Sequence, residues 1–264
     1  MEYAACIVPV APLYTAAQPT AEMCSQLLFG ETVQLLETSH TFLRIRSLFD
    51  GYEGWCLSNQ LEPIDEALAL RETHLVNGDL WREISFQEQP MQMPFGAPLN
   101  LFDHGKAQIG RYQVVYEGRF WNSSMAHENK ETIRWVADKY LNAPYLWGGR
   151  SPLGIDCSGF VQQVYRFMGI QLPRDAYQQA ELGDSIGFLQ EAHCGDLAFF
   201  DNPEGRIVHV GLLLNDHQVM HAYGRVRIDH IDHQGIVNRE SGERTHRLRI
   251  IKRLHKVLET EYDV

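Results

Sequence analysis

The strongest constraint on the fold is a change of pattern along the chain after Asn122-Ser123-Ser124. Before this point, short alternating or β-branched runs lie between Gly and Pro residues, which is typical of small all-β modules. After it, apolar residues at helical spacing predict two amphipathic helices, the first over about residues 127–141. Runs typical of strands return only after Gly195. Helices followed by an antiparallel sheet predict an α+β domain over residues 124–264.

The part of the chain before Asn122 divides near Pro63, where an acidic stretch begins. Strands are predicted in residues 1–63 at Ile7-Val8, 32–36, 42–46 and 52–57. So many short strands in so short a segment predict a small barrel. Residues 64–123 carry a weaker pattern, because Met91-Gln92-Met93-Pro94-Phe95 stands where a barrel strand is expected. We interpret this second part as another small barrel or as a spacer.

Composition excludes several classes of function. The 264 residues carry 23 Lys and Arg against 34 Asp and Glu, a net charge of −11 that argues against a nucleic-acid or anionic membrane partner. No apolar run is long enough to cross a membrane, and no export signal precedes the first strands, so we expect a cytoplasmic protein. The five cysteines form no CxxC pair. This usage fits a reducing compartment and a catalytic thiol better than a disulfide framework.

Cys157 differs from the other cysteines in its position. Asp156 is a good N-cap residue, which places Cys157 in the first turn of the second predicted helix. There the helix dipole and unpaired backbone N–H groups are expected to lower the pKa of the thiol and favour the nucleophilic thiolate. The small residues Ser158 and Gly159 would let a substrate approach closely. The alternative is that Cys157 is a small buried apolar residue.

His209 and His221 interrupt two apolar strands that are joined by a short polar link, a pattern typical of a hairpin. With a three-residue loop, Gly211 faces His221 and both histidines share one face of the sheet. With a two-residue loop, the histidines share a face only if the hairpin contains a bulge. A zinc site formed by Cys157 and the two histidines has suitable ligand types but no local ligand spacing, so we predict no metal and no cofactor.

The third part of the chain resembles a known family through four motifs. In chain order, these are Asp156-Cys157-Ser158-Gly159-Phe160, Gly195-Asp196-Leu197-Ala198-Phe199-Phe200, His209-Val210-Gly211 and His221-Ala222. They are similar to the motifs of NlpC/P60 cysteine peptidases, which are papain-like cell-wall enzymes. The resemblance implies that Cys157 is the nucleophile, His209 the general base and His221 the residue that orients His209. It also implies that Tyr145 and the Cys157 N–H form the oxyanion site.

The first half resembles the bacterial SH3 modules that precede this peptidase domain in one subgroup. The matching segments are Glu22-Met23-Cys24-Ser25-Gln26, Phe29-Gly30-Glu31 and Gly51-Tyr52-Glu53-Gly54-Trp55. That subgroup contains γ-D-glutamyl-L-diamino acid endopeptidases of the dipeptidyl-peptidase VI type. The resemblance implies hydrolysis of murein-derived peptides after L-Ala-γ-D-Glu, a requirement for a free N-terminal L-Ala, and a role in cell-wall recycling.

Several further residues are predicted to bind this substrate. Glu22 and Asp175 would meet the ammonium group, because a buried cation needs anionic partners, and Tyr52 would help to close the site. Asp156 and Ser158 would line the side of the D-Glu α-carboxylate, and Trp147 is placed on the substrate side of the loop that carries Tyr145.

Structural alternatives remain open for three of these residues. Glu22 would then be a solvated surface carboxylate, Tyr52 would pack beside Trp55, and Asp175 would cap a short helix.

Two other functions also remain open. One is thiol acyl transfer on a permuted papain-like fold, which the order of Cys157 before the histidines disfavours. The other is cell-wall binding through the SH3-like modules without catalysis, which the intact set of Cys157, His209 and His221 disfavours. The preferred residue at the third peptide position and the oligomeric state cannot be read from the sequence.

Overall fold

The first part of the chain forms an antiparallel β-sheet that curls into a barrel. A computed structural model describes residues 2–126 and 129–254. The sheet has seven strands in the order β3-β2-β6-β5-β4-β1-β7. They are β1 (Tyr3–Cys6), β2 (Val10–Tyr14), β3 (Met23–Leu28), β4 (Thr32–Ser39), β5 (Phe42–Ser47), β6 (Glu53–Leu57) and β7 (Leu61–Ile64). In the described residues, none of the helices has the length and apolar character needed to span a membrane.

The strand predicted at Ile7-Val8 is wrong, because the chain leaves the sheet there. Strand β1 ends at Cys6, and Pro9, which has no N–H to donate to a strand ladder, precedes β2. The side chain of Ile7 is buried in the core between the first and second parts of the chain. Val8 is half-buried against the core of the first barrel itself, so the apolar pair reflects burial in two different cores and not membership of a strand.

The second part of the chain contains two further sheets and one short helix. The elements are α1 (Glu66–Ala69), β8 (Leu75–Asn77), β9 (Trp81–Phe86), β10 (Gln89–Pro94), β11 (Lys106–Ile109), β12 (Tyr112–Val115) and β13 (Phe120–Asn122). Strand β10 covers the Met91 run, where the sequence pattern was weak. Ile84, Met93 and Val114 share one apolar core with Leu28 and Phe29 of the first part.

This second part also packs directly against the third part of the chain. The Phe95 ring stacks on Phe167 with ring centroids 4.2 Å apart, and Trp121 Nε1 donates a hydrogen bond to the Phe167 carbonyl at 2.8 Å. It therefore packs against both neighbours. The division of the chain at residues 63 and 123 stays a prediction.

The third part begins with helices and ends with a sheet, as the α+β prediction requires. Its elements are α2 (Lys130–Asp138), β14 (Arg150–Ser151), β15 (Gly154–Ile155), α3 (Cys157–Phe167), α4 (Ala176–Gln179), β16 (Asp184–Ile186), β17 (Leu197–Asp201), β18 (Ile207–Asn215), β19 (Gln218–Tyr223), β20 (Arg225–Asp232), β21 (Gly235–Val237) and β22 (Arg244–Arg253). Residues 127–128 and 255–264 of the predicted third part lie outside the described residues. Helix α2 begins at Lys130 because the Asn129 side chain caps it, accepting from Thr132 N at 2.8 Å.

The large sheet closes on itself. Its order is β16-β22-β17-β18-β19-β20-β21, and β21 also pairs with β22, so β17 to β22 form a barrel. One apolar core, which includes Phe200, Leu213 and Val219, fills this barrel. A second core, which includes Phe160 and Val210, lies between the barrel and the entirely buried helix α3. This packing holds the first turn of α3 against β18. A papain-like α+β fold behind an SH3-like barrel is confirmed.

Candidate active site

The first residue of α3 is Cys157, and its position is fixed by the cap that the sequence predicted. The Asp156 carboxylate accepts from Gly159 N at 2.7 Å and from Gly148 N at 2.9 Å. The predicted lowering of the Cys157 pKa is wrong. Burial, with the nearby Asp156 charge, raises the pKa of the thiol to about 12, against backbone N–H groups of Val210 and Ser158 that lower it. The thiol therefore rests protonated and needs a base.

The strands β18 and β19 bring the two histidines to one face through the second of the predicted arrangements. Asn215 pairs with Gln218 across a two-residue link, and the pairing shifts by one residue at Leu214. From Leu212 opposite Met220 onward, the register places Gly211 across from His221. A Cβ on Gly211 would lie 2.5 Å from a Val219 methyl carbon, so this close approach requires glycine.

The histidines form a continuous buried hydrogen-bond chain with a carboxylate. His209 Nε2 lies 2.9 Å from His221 Nδ1, and His221 Nε2 lies 3.1 Å from Asp229 Oδ2. Burial, reinforced by His221 and His246, lowers the pKa of His209 well below 6.5. His209 is therefore a neutral imidazole at neutral pH, and Nδ1 is its ring nitrogen outside this chain. Val210, the next residue, contacts the Cys157 sulfur through its N–H.

Asp229 and His246 are residues that the sequence reasoning missed. The Asp229 side chain is buried on β20, where Val219 is its direct partner and Arg227 faces His221. His246, on β22, stacks on His209 with ring centroids 4.1 Å apart. A signal for Asp229 was present, because Arg227 and Asp229 alternate with apolar residues in a strand next to the His221 strand. No local pattern indicated His246.

Tyr145 is placed close to Cys157. It follows Pro144, and its backbone forms a bridge to Ile155 and donates to the Gly224 carbonyl at 2.9 Å. Burial, together with the neighbouring Cys157 and Asp156, raises the pKa of its phenol above 10. The hydroxyl therefore stays protonated and can donate a hydrogen bond. As the first residue of α3, Cys157 has a backbone N–H without an intrahelical acceptor.

Arg174 binds both Asp156 and Ser158. The sequence analysis did not assign Arg174 to the site. Arg174 Nη1 donates to Asp156 Oδ1 at 3.0 Å and to the Ser158 hydroxyl at 2.9 Å, and Nη2 lies 2.5 Å from Asp156 Oδ2. Arg174 Nε also donates to the Ser25 hydroxyl of β3 at 3.1 Å. The buried cation pairs with Asp156 next to Cys157 and ties this residue to the first barrel.

The first barrel contributes Tyr52 to the same region. Burial raises the pKa of Tyr52, and Asp175, Cys24 and Tyr177 act on it in the same direction, so these side chains surround it. Asp175 occupies the N-cap position of α4, and its N–H donates to Gln178 Oε1 at 3.3 Å. Burial also raises the pKa of Asp175, and Asp156 and Asp50 add to this effect while Arg174 opposes it. Three carboxylates thus face one arginine here.

The remaining predicted substrate residues lie at the surface. Glu22 is exposed next to β3, close enough to Cys24 to act on its pKa. Trp147 is 56% exposed beside Gly148, whose positive φ of +76° lets the loop pack against the backbone of β3. Asp50, in the turn before β6, accepts from Gln162 Nε2 of α3 at 3.0 Å.

The histidine cluster does not have the geometry of a metal site. Within residues 2–126 and 129–254, His209, His221 and His246 are the one group of three candidate ligands, with ring nitrogens within 4.8 Å of one another. The His209 and His246 rings are stacked with an interplanar angle of 23°, so their in-plane lone pairs do not converge. His209 Nε2 and His221 Nδ1 are already hydrogen bonded to each other.

Two segments of the chain match known protein families. Residues 142–244 match the NlpC/P60 family, and residues 13–61 match a bacterial dipeptidyl-peptidase SH3 domain. The chain contains an NlpC/P60 domain. This domain lies behind an SH3 module and makes the protein a cysteine peptidase, a hydrolase of peptide bonds.

Two curated relatives and one solved structure match most of this chain. A γ-D-glutamyl-L-lysine dipeptidyl-peptidase of Bacillus subtilis is 29% identical over 75% of this chain and 71% of its own length. Dipeptidyl-peptidase 6 of Lysinibacillus sphaericus is 26% identical over 86% of this chain and 91% of its own. The crystal structure of an NlpC/P60 family protein from Bacillus cereus covers 95% of this chain and 99% of its own, with 19% identity and a TM-score of 0.78. This structural similarity shows that the whole arrangement, including the second part, recurs as a fold.

Proposed function

We propose that the protein hydrolyses the bond between γ-D-Glu and a diamino acid in murein peptides that carry a free N-terminal L-Ala, and so releases L-Ala-γ-D-Glu. The observation that carries this proposal is the grouping of Asp175 with Tyr52 of the first barrel near the Asp156 cap of the Cys157 helix. A site that joins a thiol nucleophile to a half-buried carboxylate suits a short peptide with a free ammonium group. The names of the relatives support the same bond type.

Chemistry at the thiol begins with proton transfer. Nδ1 of His209 accepts the Cys157 proton as Sγ attacks the carbonyl carbon of γ-D-Glu, because the buried thiol is protonated at neutral pH. The Tyr145 hydroxyl and the Cys157 N–H donate to the oxyanion of the tetrahedral intermediate. His209 then returns the proton to the departing amine, and water attacks the thioester with His209 again acting as the base.

Recognition of the free amine uses charge. The carboxylates of Asp175, Asp50 and Asp156 outnumber the single buried cation Arg174, so the region favours a bound ammonium. An N-acetyl group would remove that charge and leave a half-buried carboxylate without a cation. The Asp156–Arg174 pair, with the Ser158 hydroxyl, supplies donors for the D-Glu α-carboxylate.

The direct experiment compares L-Ala-γ-D-Glu-diaminopimelate with its N-acetylated form. We expect release of L-Ala-γ-D-Glu from the free-amine peptide alone, and no release with Cys157→Ala. Cys194→Ala removes a different thiol, which is partly buried. This variant is the control and should retain activity. Equal cleavage of the two peptides would contradict amine recognition, and cleavage by Cys157→Ala would contradict the nucleophile.

The two other functions predict different results. An acyltransferase would form a hydroxamate from an acyl donor and hydroxylamine faster than it hydrolyses the donor. A wall-binding protein would sediment with purified sacculi and leave both peptides intact. We also propose that the protein acts in the cytoplasm on recycled wall peptides, and cell fractionation with an antibody against it tests this location.

A further inference from the structure

We propose that Asp229 is a positioning residue that fixes the tautomers of both active-site histidines and so keeps His209 Nδ1 free to accept the Cys157 proton. This inference rests on the proposed roles of Cys157 and His209. The juxtaposition behind it is a buried chain from His209 through His221 to Asp229, which ends at Arg227.

Asp229 is an ionised acceptor in this chain. Its side chain is fully buried, and burial alone would raise its pKa, but hydrogen bonds from His221, Arg227 and the Arg239 backbone hold the pKa well below 3.8. A carboxylate without a proton accepts hydrogen bonds only. Both of its oxygens are used: Oδ2 lies 3.1 Å from His221 Nε2 and 2.8 Å from Arg227 Nε, while Oδ1 accepts from Arg227 Nη2 and from Arg239 N, each at 3.0 Å.

The ionised state of Asp229 determines the proton positions on both rings. His221 must carry its proton on Nε2, because the carboxylate 3.1 Å away can only accept. The pKa of His221 is lowered by burial, so the ring is neutral and its Nδ1 is an acceptor. The proton between the rings therefore belongs to His209 Nε2. The remaining nitrogen of His209, Nδ1, then holds the lone pair that a general base requires.

The surroundings of Asp229 predict what an asparagine would do there. Two donors, the Arg227 guanidinium and the Arg239 N–H, face the Oδ1 position, so the amide oxygen of Asp229→Asn must point to them. The amide NH2 group then faces His221 Nε2 and donates to it. This reverses the order of donors along the chain and places a proton on His209 Nδ1, facing the thiol. The side chain volume and the two contacts at the Oδ1 position are retained, and only Arg227 Nε then faces the amide NH2 group, whereas the opposite orientation would set that group against two donors.

The test measures Cys157 reactivity as well as hydrolysis. For Asp229→Asn we expect kcat/KM at pH 7 to fall by about 10³-fold or more, as for other catalytic histidines held in the wrong tautomer. Alkylation of Cys157 by iodoacetamide, followed by mass spectrometry of its peptide, should lose base assistance. Its rate should rise in proportion to hydroxide between pH 6 and 9, whereas the unsubstituted protein should show a plateau.

The matched control is Asp232→Asn, the same substitution on the same strand in a surface pair with Arg244. It should leave the alkylation profile and kcat/KM unchanged. A folded Asp229→Asn protein with the unchanged pH profile of alkylation would overturn the proposal. The alkylation readout needs no peptide, so a wrong assignment of the substrate would not affect it.

A direct measurement covers the case in which Asp229→Asn does not fold. Long-range ¹H–¹⁵N correlation spectra of the unsubstituted protein report which nitrogen of each histidine carries the proton. We expect the protonated nitrogen to be Nε2 in both His209 and His221. A proton on Nδ1 of either ring at pH 7 would overturn the proposal.

Discussion

The carboxylate of Glu31, in the first barrel, lies 2.8 Å from Nη1 of Arg150, in the strand that leads to the Cys157 helix. Arg166, in the last turn of that helix, binds the second oxygen of the same carboxylate. Both arginine guanidinium groups also lie over the Phe49 ring, at 4.9 and 4.2 Å. The barrel and the helix that begins at Cys157 are thus joined through one buried charge.

Removal of that charge should change the acid stability of the protein. The two arginines overcome the effect of burial and lower the pKa of Glu31 from 4.5 to about 2. A depressed carboxyl pKa contributes stability that is present above pH 4.5 and is lost as pH falls towards 2, on the order of 3 kcal/mol in all. In Glu31→Gln, this part of the slope should disappear from free energies of unfolding measured by urea at pH 7, 4.5 and 3.

Glu53→Gln, which removes a surface carboxylate paired with Arg44 and Arg46, is the control and should keep most of the slope. An identical pH slope in Glu31→Gln and the unsubstituted protein would show that the pair is not a source of acid sensitivity.

Substitution of Gly148 should destabilise the protein more than backbone strain at its positive φ alone predicts. A Cβ at this position would lie 3.0 Å from the Met23 carbonyl oxygen and 3.1 Å from the Cys24 carbonyl carbon. Gly205 has a similar φ of +78° but nothing within 4 Å, so Gly205→Ala measures the strain alone. We expect Gly148→Ala to cost about 1–3 kcal/mol more in thermal or urea unfolding. Equal costs for the two variants would mean that β3 moves away freely.

Asp175 and Glu22 should differ in their effect on amine selectivity. Asp175 is half-buried beside Tyr52, whereas Glu22 is exposed, so water screens the Glu22 charge more strongly. Asp175→Asn should reduce kcat/KM for the free-amine peptide about 10- to 100-fold, as expected for loss of a charged hydrogen bond, and leave the N-acetyl peptide unaffected. Glu22→Gln should change kcat/KM for the free-amine peptide less than threefold. The reverse ranking of the two variants would assign the ammonium to Glu22.

The pH dependence of hydrolysis follows from the buried base. His209 acts as a base when neutral, and its pKa lies well below 6.5, so protonation of His209 should not reduce kcat/KM between pH 8 and 6.5. Above pH 8, the rate should fall as the substrate ammonium loses its proton, with an apparent pKa of about 8. A pH series with the free-amine peptide measures both limbs. A loss of rate centred at pH 6.5 would show that His209 titrates like an exposed histidine.

The sequence was sufficient for the elements that depend on local pattern. Helical spacing and the Asp156 cap located α3, and the runs typical of strands after Gly195 located most of the large sheet. The strand at Ile7-Val8 failed because burial of Ile7 between two sheets and of Val8 against the barrel core produces the same apolar pair as a strand. The prediction of a lowered pKa for Cys157 failed because position in a helix is a local property, whereas desolvation of the thiol depends on how α3 packs against β18.

Residues of the site that depend on distant contacts could not be found from the sequence. His246 lies 37 positions after His209 on a strand whose register is shifted by bulges against β17 and β21, so pattern alone could not place it. Arg174 stands next to Asp175 in the sequence. Its hydrogen bond to Ser25, however, forms only because the first barrel packs against the third part of the chain, and its pairing with Asp156 depends on how the third part folds.

The apolar core shared by the first two parts of the chain limits how new specificities can be engineered. Residues of β3 and of β9, β10 and β12 cover one another, so the barrel transplanted alone onto another peptidase would carry an uncovered hydrophobic surface. A chimera that exchanges amine recognition would have to move residues 2 to 122 as one cassette, with its Glu31 carboxylate matched by two arginines in the recipient.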